Sequence, residues 1–285
     1  METDPRHPAF ASEIEAVEAR AWASLSAVTA SELLFDTRGM VAGVALFSSA
    51  EHPLANRVIG LGLERPVQPQ MLDKILEMYD AKKNGPVFIP AAPTARPSSL
   101  PRLLQARGFE PSMKEAKLYR KTENPPAKDP RDRVFEAKEA DHEIALSLYR
   151  GSGMHSDWAD VMAGNLGSRN WHHFIALEGD RPVALASFFA SQGHALCFPG
   201  WTLPGYRHRG YQRALLAHRI AAAAELGCSW VSVNVDLTDS PIGFTTRSYT
   251  RVGFELLYVR TTHIRLQPNV AAPNAFSRRL LIPHS

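Results

Sequence analysis

Leu203-Pro-Gly-Tyr-Arg-His-Arg-Gly-Tyr-Gln-Arg-Ala-Leu-Leu216 is the stretch whose reading decides the fold. It follows an apolar run, Ala195–Leu203, and opens an alanine-rich run of helical character, Tyr211–Leu226. The order is therefore strand, basic loop, helix. A helix start leaves its first N–H groups without intrahelical partners, and the aligned peptide dipoles add partial positive charge there. Loop and helix together make an anion site suited to phosphate or pyrophosphate. Arg207, His208, Arg209 and Arg213 concentrate positive charge around it, and Gly210, lacking a Cβ, lets a bulky anion reach the backbone.

Two other kinds of phosphate loop fail on residue identity. Gly200 and Gly205 have the glycine spacing of a nucleotide P-loop, but Tyr206 stands where that loop needs lysine. Gly60-Leu-Gly62 and Gly151-Ser-Gly153 begin like a dinucleotide fingerprint, but Arg65 and Ser156 occupy its third glycine position. The spacing Arg207-x-x-Gly210-x-Gln212 instead resembles the R/Q-x-x-G-x-G/A pyrophosphate loop of the GNAT N-acetyltransferase superfamily. Thr202-Leu203-Pro204 resembles the hydrophobic-x-Pro that ends that family's fourth strand, and Ala214-Leu215-Leu216 the helix that follows. Gln212 departs from the pattern, which has Gly or Ala there. The resemblance implies acetyl-CoA as co-substrate, held by Thr202, Leu203, Arg207, His208, Arg209, Gly210, Tyr211, Gln212 and Arg213, with no metal.

Composition agrees with a single anionic ligand. The chain has 285 residues, 45% hydrophobic and 21% charged, with a net charge of +3. That excess is too small and too scattered for a nucleic-acid binder. Cys197 and Cys228 stand far apart in or near apolar runs, as core residues of a reducing compartment do. No apolar run approaches membrane-spanning length, and the first residues lack a signal-peptide core, so the expected location is cytoplasmic.

Along the chain, the first 11 residues read as polar and frayed, and Ser12 caps a helix through Ala30. Strands are expected at 40–47, 57–63, 87–89 and 114–121, with helices at 70–83 and 100–107. Residues 123–132, rich in Pro, Lys, Asp and Glu, read as a linker. A second cycle follows: a strand at 133–137, a helix from Asp141 to about Arg150 and a loop-helix stretch through Asn170. Strands at 171–178, 182–190 and 195–203 lead to the helix 211–226. The strand 229–237, the short helix 246–252 and the strand 255–266 complete it. The two halves end alike, in Arg107-Gly-Phe-Glu110 and Val252-Gly-Phe-Glu255, each before a strand. This is an internal repeat of domain size.

The Gly-Phe ending also resembles the GNAT pattern. The expected fold is α/β (α+β): two tandem GNAT-like domains, each a mixed, mostly antiparallel sheet flanked by helices. Residues 1–122 form a degenerate domain and 133–268 the acetyltransferase domain, with 269–285 a tail. The degenerate domain has Leu63-Glu-Arg-Pro-Val-Gln-Pro-Gln70 in place of the basic loop, and proline offers a phosphate no N–H.

Making an amide from a thioester needs a neutral amine, a polarised carbonyl and a protonated leaving thiolate. By resemblance, the family transfers the acyl group directly between its substrates. Tyr249, four residues before Gly253, matches a Tyr that in many family members protonates the leaving sulfur; packing helix on sheet is an equal reading. Ser248 either bonds the pantetheine arm or faces solvent. Asn234 and Asp236 share one face of a strand, and Asp236 either relays the amine proton or, the favoured reading, caps the next turn. His155, Asp157, Trp158 and Asp160 occupy the region that lines the acceptor pocket in the family. The leading expectation is an acetyl-CoA-dependent N-acetyltransferase acting on a small-molecule amine, with no nucleic-acid or membrane partner, as monomer or homodimer. A non-catalytic acyl-CoA sensor is the alternative.

Overall fold

The computed structural model describes residues 8–26, 33–34, 44–46, 56–82, 86–128, 133–154, 156–198, 200–237 and 246–266. Its elements follow the α+β order expected. The first half contains α1 (Pro8–Ser26), β1 (Leu33–Leu34), β2 (Val44–Leu46), β3 (Arg57–Ile59), α2 (Pro69–Lys82), β4 (Val87–Ala91), α3 (Leu100–Gln105) and β5 (Glu110–Lys121). The second contains β6 (Val134–Ala137), α4 (His142–Gly151), α5 (Ser156–Ala163), β7 (Trp171–Glu178), β8 (Arg181–Ser191), β9 (His194–Cys197) and β10 (Trp201–Thr202). It closes with α6 (Tyr211–Glu225), β11 (Trp230–Asp236), α7 (Arg247–Thr250) and β12 (Glu255–Arg265).

The chain forms two compact units, and they do not simply follow chain order. One holds the described residues up to Lys117 together with Asp236, Leu237 and β12 from Leu256 onward. The other holds Leu118–Val235 and the described residues from Thr246 to Glu255. In the first unit the strand order is β1-β2-β3-β4-β12-β5. β12 thus lies beside β4, antiparallel, with Thr261 opposite Ala91 and Arg265 opposite Val87. In the second unit the order from the end of β5 is β11-β9-β8-β7-β6, with β10 on β8. β3 with β4 and β9 with β11 pair parallel, whereas β1–β2, β2–β3, β4–β12, β6–β7, β7–β8, β8–β9 and β8–β10 pair antiparallel.

The first helix starts earlier than the sequence reading had it. Phe10 is completely buried alongside Ile14, Val17, Ala21 and Leu25, so a hydrophobic stripe extends into residues read as frayed. Glu15 and Glu18 are buried on the same helix, at 1% and 0% exposure. They face a cation: Arg260 Nη1 lies 2.7 and 2.6 Å from the two Glu15 oxygens, and its Nη2 lies 2.8 Å from Glu18 Oε1. Arg260 Nε donates to Glu115 at 3.2 Å, Lys117 Nζ to Glu18 at 2.5 Å and the Tyr258 hydroxyl to Glu15 at 2.5 Å. Burial alone would push the Glu18 carboxyl up, but Arg260 and Lys117 outweigh it and hold it well below the usual range.

Candidate active site

The expected strand 195–203 is broken. β9 ends at Cys197, and β10 pairs only with β8, Trp201 opposite Leu185. β9 and β11 run parallel from the Trp230–His194 rung to the Val233–Cys197 rung, and beyond it they part. Asn234 is the first β11 residue past that last rung, and its side-chain oxygen is buried with no hydrogen-bond partner among the described residues. A buried acceptor left unpaired costs free energy, so it favours a ligand that brings a donor.

The basic loop leads out of β10. Leu203 donates its N–H to Val183 O at 3.0 Å, and Pro204–Tyr206 make one tight turn. Gly210 sits at the helix cap with φ +90, a backbone shape that L side chains rarely adopt. The first bond of the helical ladder runs from Ala214 N to Gly210 O at 3.1 Å. The N–H groups of His208 through Arg213 therefore have no acceptor among the described residues. A Cβ built on Gly210 would meet nothing within 4 Å, so this row of donors opens on free space. Such a row of unpaired donors at a helix start can take an anion.

The cations around it are not equivalent, and here the structure refines the sequence reading. Arg209 is taken: its Nη1 pairs with Glu178 at 2.8 Å, and the Tyr211 hydroxyl donates to the same oxygen at 3.0 Å. Glu178 ends β7, too far away in sequence for spacing to reveal it. Arg207 is held by two long bonds of 3.3 Å, to Thr202 O and Ser152 O. His208 and Arg213 are exposed and form no ion pair among the described residues.

Gln212, the departure from the family pattern, turns its side chain away from the donors. Its Nε2 lies 2.7 Å from Thr202 Oγ1, and a Cβ on Gly200 would stand 1.7 Å from its Oε1. Helix and strand approach closely here because Gly200 carries no side chain. The small residue that the pattern places on the helix stands instead on the strand side.

The remaining candidates fall as follows. Tyr249, in α7, packs edge-on against Phe254 at 5.6 Å, and its hydroxyl has no partner among the described residues. Burial raises its pKa, so the phenol is protonated at neutral pH. Ser248 is exposed; Trp158 and Asp236 are half-buried; Thr202 is buried beside its loop. His155 lies outside the described residues. No cluster of three or more His, Cys, Asp or Glu suited to a metal occurs among the described residues. Trp201 and both cysteines are buried, and burial raises both thiol pKa values, Cys228 to about 11. Sequence reading missed Arg219, buried in α6, whose Nη1 donates to Ser187 O at 3.1 Å and Phe198 O at 2.7 Å.

With this geometry in place, comparison with known proteins becomes specific. Residues 133–254 match the family model for the acetyltransferase (GNAT) family. No functionally curated protein matches the chain. Among solved structures, a GCN5-related N-acetyltransferase from Kribbella flavida is similar over 88% of this chain and 96% of its own, with TM-score 0.65 and 16% identity. A second, from Sphaerobacter thermophilus, covers 95% of this chain and 99% of its own, with TM-score 0.55 and 14% identity. A tandem GNAT protein from the clavulanic acid biosynthesis pathway covers 84% of this chain and 82% of its own, with TM-score 0.57 and 11% identity. At such identities the likeness speaks for fold. The chain therefore has the α+β fold of the GNAT acetyltransferase superfamily, with that family's sequence pattern in residues 133–254.

Proposed function

We propose that the chain is an acetyl-CoA-dependent N-acetyltransferase that transfers an acyl group directly to the amine of a small molecule. The row of free N–H groups from His208 to Arg213, at a glycine-capped helix start, is the observation that carries the reading. In it the pyrophosphate takes those donors, with Arg213, His208 and a redirected Arg207 as counter-charges. The acyl arm enters where β9 and β11 part. Asn234 accepts a hydrogen bond from the incoming neutral amine, Tyr249 gives its proton to the departing thiolate, and the proton shed by the amine nitrogen returns through water to the Tyr249 oxygen. Direct transfer draws much of its rate from holding both reactants in register.

The tandem arrangement, with residues 1–122 degenerate and 133–268 active, belongs to the same proposal, supported by the likeness to a tandem GNAT protein. The counterpart loop in the first unit is occupied internally. Arg96 donates to Leu63 O and Glu64 O, and Val67 N donates to Arg96 O at 2.8 Å. One coenzyme per chain is expected.

Titration calorimetry with acetyl-CoA, followed by thiol release across a panel of amines, tests the reading. Binding at one site per chain that Gly210→Val abolishes supports it. No heat at millimolar ligand removes it.

A further inference from the structure

Arg219 is 3% exposed and sits two turns into α6. It forms no ion pair among the described residues, and its Nε is buried without a partner. Only Nη1 is engaged, and both of its acceptors are neutral backbone carbonyls. A guanidinium stays charged under all ordinary conditions, and buried charges are as a rule paired. Among the described residues this one has no anion.

Its position is informative. Phe198, whose carbonyl it grips, is the first residue of the break between β9 and β10, next to Cys197 on the last rung before β9 and β11 part. Arg219 acts electrostatically on Cys197 and on Tyr249, whose hydroxyl is an unused donor. Another buried polar group nearby is also short of a partner. On the rung opposite Ser187, His173 is 1% exposed and kept neutral by burial. The Tyr149 hydroxyl lies 3.2 Å from its Nδ1, and its Nε2 has no partner.

We propose that Arg219 forms a carboxylate-binding subsite at the root of the parting between β9 and β11, so that one of the two reactants carries a carboxylate. A carboxylate matches the planar fork of the guanidinium and supplies the missing charge. The inference rests on the acyltransferase reading and narrows its substrate class. The carboxylate belongs either to the acyl chain, as in a dicarboxylic acyl thioester, or to the acceptor, as in an amino acid.

Calorimetry on the full chain with acetyl-CoA and succinyl-CoA tests the first source. Thiol release with acetyl-CoA and paired acceptors, amino acids against the same amines without the carboxylate, tests the second. In one arm the carboxylate-bearing reactant is favoured by about 10- to 100-fold, as expected for charge-assisted bonds. Arg219→Met removes that preference, while Arg219→Lys keeps part of it. Because the comparison is made first on the unaltered protein, a variant that fails to fold does not spoil it. Acetyl-CoA bound and turned over with no carboxylate preference in either arm overturns the subsite and leaves the transferase reading standing. No binding of either thioester overturns both.

Discussion

Replacing Arg260 with Met should cost the first unit several kcal/mol, and the structure says why. Arg260 is 1% exposed and bonds Glu15, Glu18 and Glu115 at once. Met fills comparable volume but leaves those carboxylates with Lys117 and the buried Arg57 as their remaining cations, beside the Tyr258 and Thr262 hydroxyls. Removing one partner from a buried ionic cluster typically costs about 3–5 kcal/mol, because the remaining charges stay desolvated. With a urea dependence of about 2 kcal/mol/M, the midpoint falls by roughly 1.5–2.5 M. Trp22 is a local probe, since the Arg57 guanidinium lies 4.1 Å over its ring. Its fluorescence should report the first unit's transition, fitted apart from that of the second. Glu18→Gln in the Arg260→Met background removes a stranded charge and should recover part of the loss. A midpoint shift below about 0.5 M would refute the view that this cluster holds α1 and β12 in place.

The same cluster sets an acid limit. The Glu18 carboxyl is held below its ordinary value in the folded chain, so its contribution is present above about pH 4.3. It is lost as pH falls through the folded value; Glu18→Gln should flatten that acid limb in pH-dependent urea titrations. Gly200→Ala should weaken acetyl-CoA binding, because the new methyl evicts Gln212 from Thr202 toward the loop, and adding Gln212→Ala should restore it. Calorimetric affinities of the two single variants and the double variant decide this; unchanged binding in Gly200→Ala alone speaks against it. Tyr249→Phe should lower turnover by about 10²-fold or more at saturating substrate while leaving coenzyme affinity nearly unaltered. Full turnover in that variant would return Tyr249 to packing alone.

Local chemistry made most elements legible in the sequence. The helix from Tyr211, the strand Trp171–Glu178 and the glycine-capped loop each announce themselves in adjacent residues. What remained hidden depends on partners distant in the chain. Glu178 neutralises Arg209 across 31 residues, and Gly200 makes room for Gln212 across a strand break that a continuous apolar run conceals. Glu15 and Glu18 look like the solvent face of a helix until Arg260, more than 240 residues later, is seen to bury them. Arg219 reads as one more cation on an alanine-rich helix, and its isolation from carboxylates is a property of the folded interior alone.

The placement of β12 has a consequence for how the protein comes into being. The unit that holds α1 also contains Arg260, which is synthesised about 140 residues after Lys117. At ordinary elongation rates the nascent chain waits roughly 7–30 s for that strand. During the wait, Glu15 and Glu18 lack their main counter-ion, and the side of β4 that β12 will cover has no partner strand. An unpaired strand edge invites pairing with other chains. The first unit therefore stays incomplete, and open to wrong partners, from the synthesis of β5 until β12 has been made.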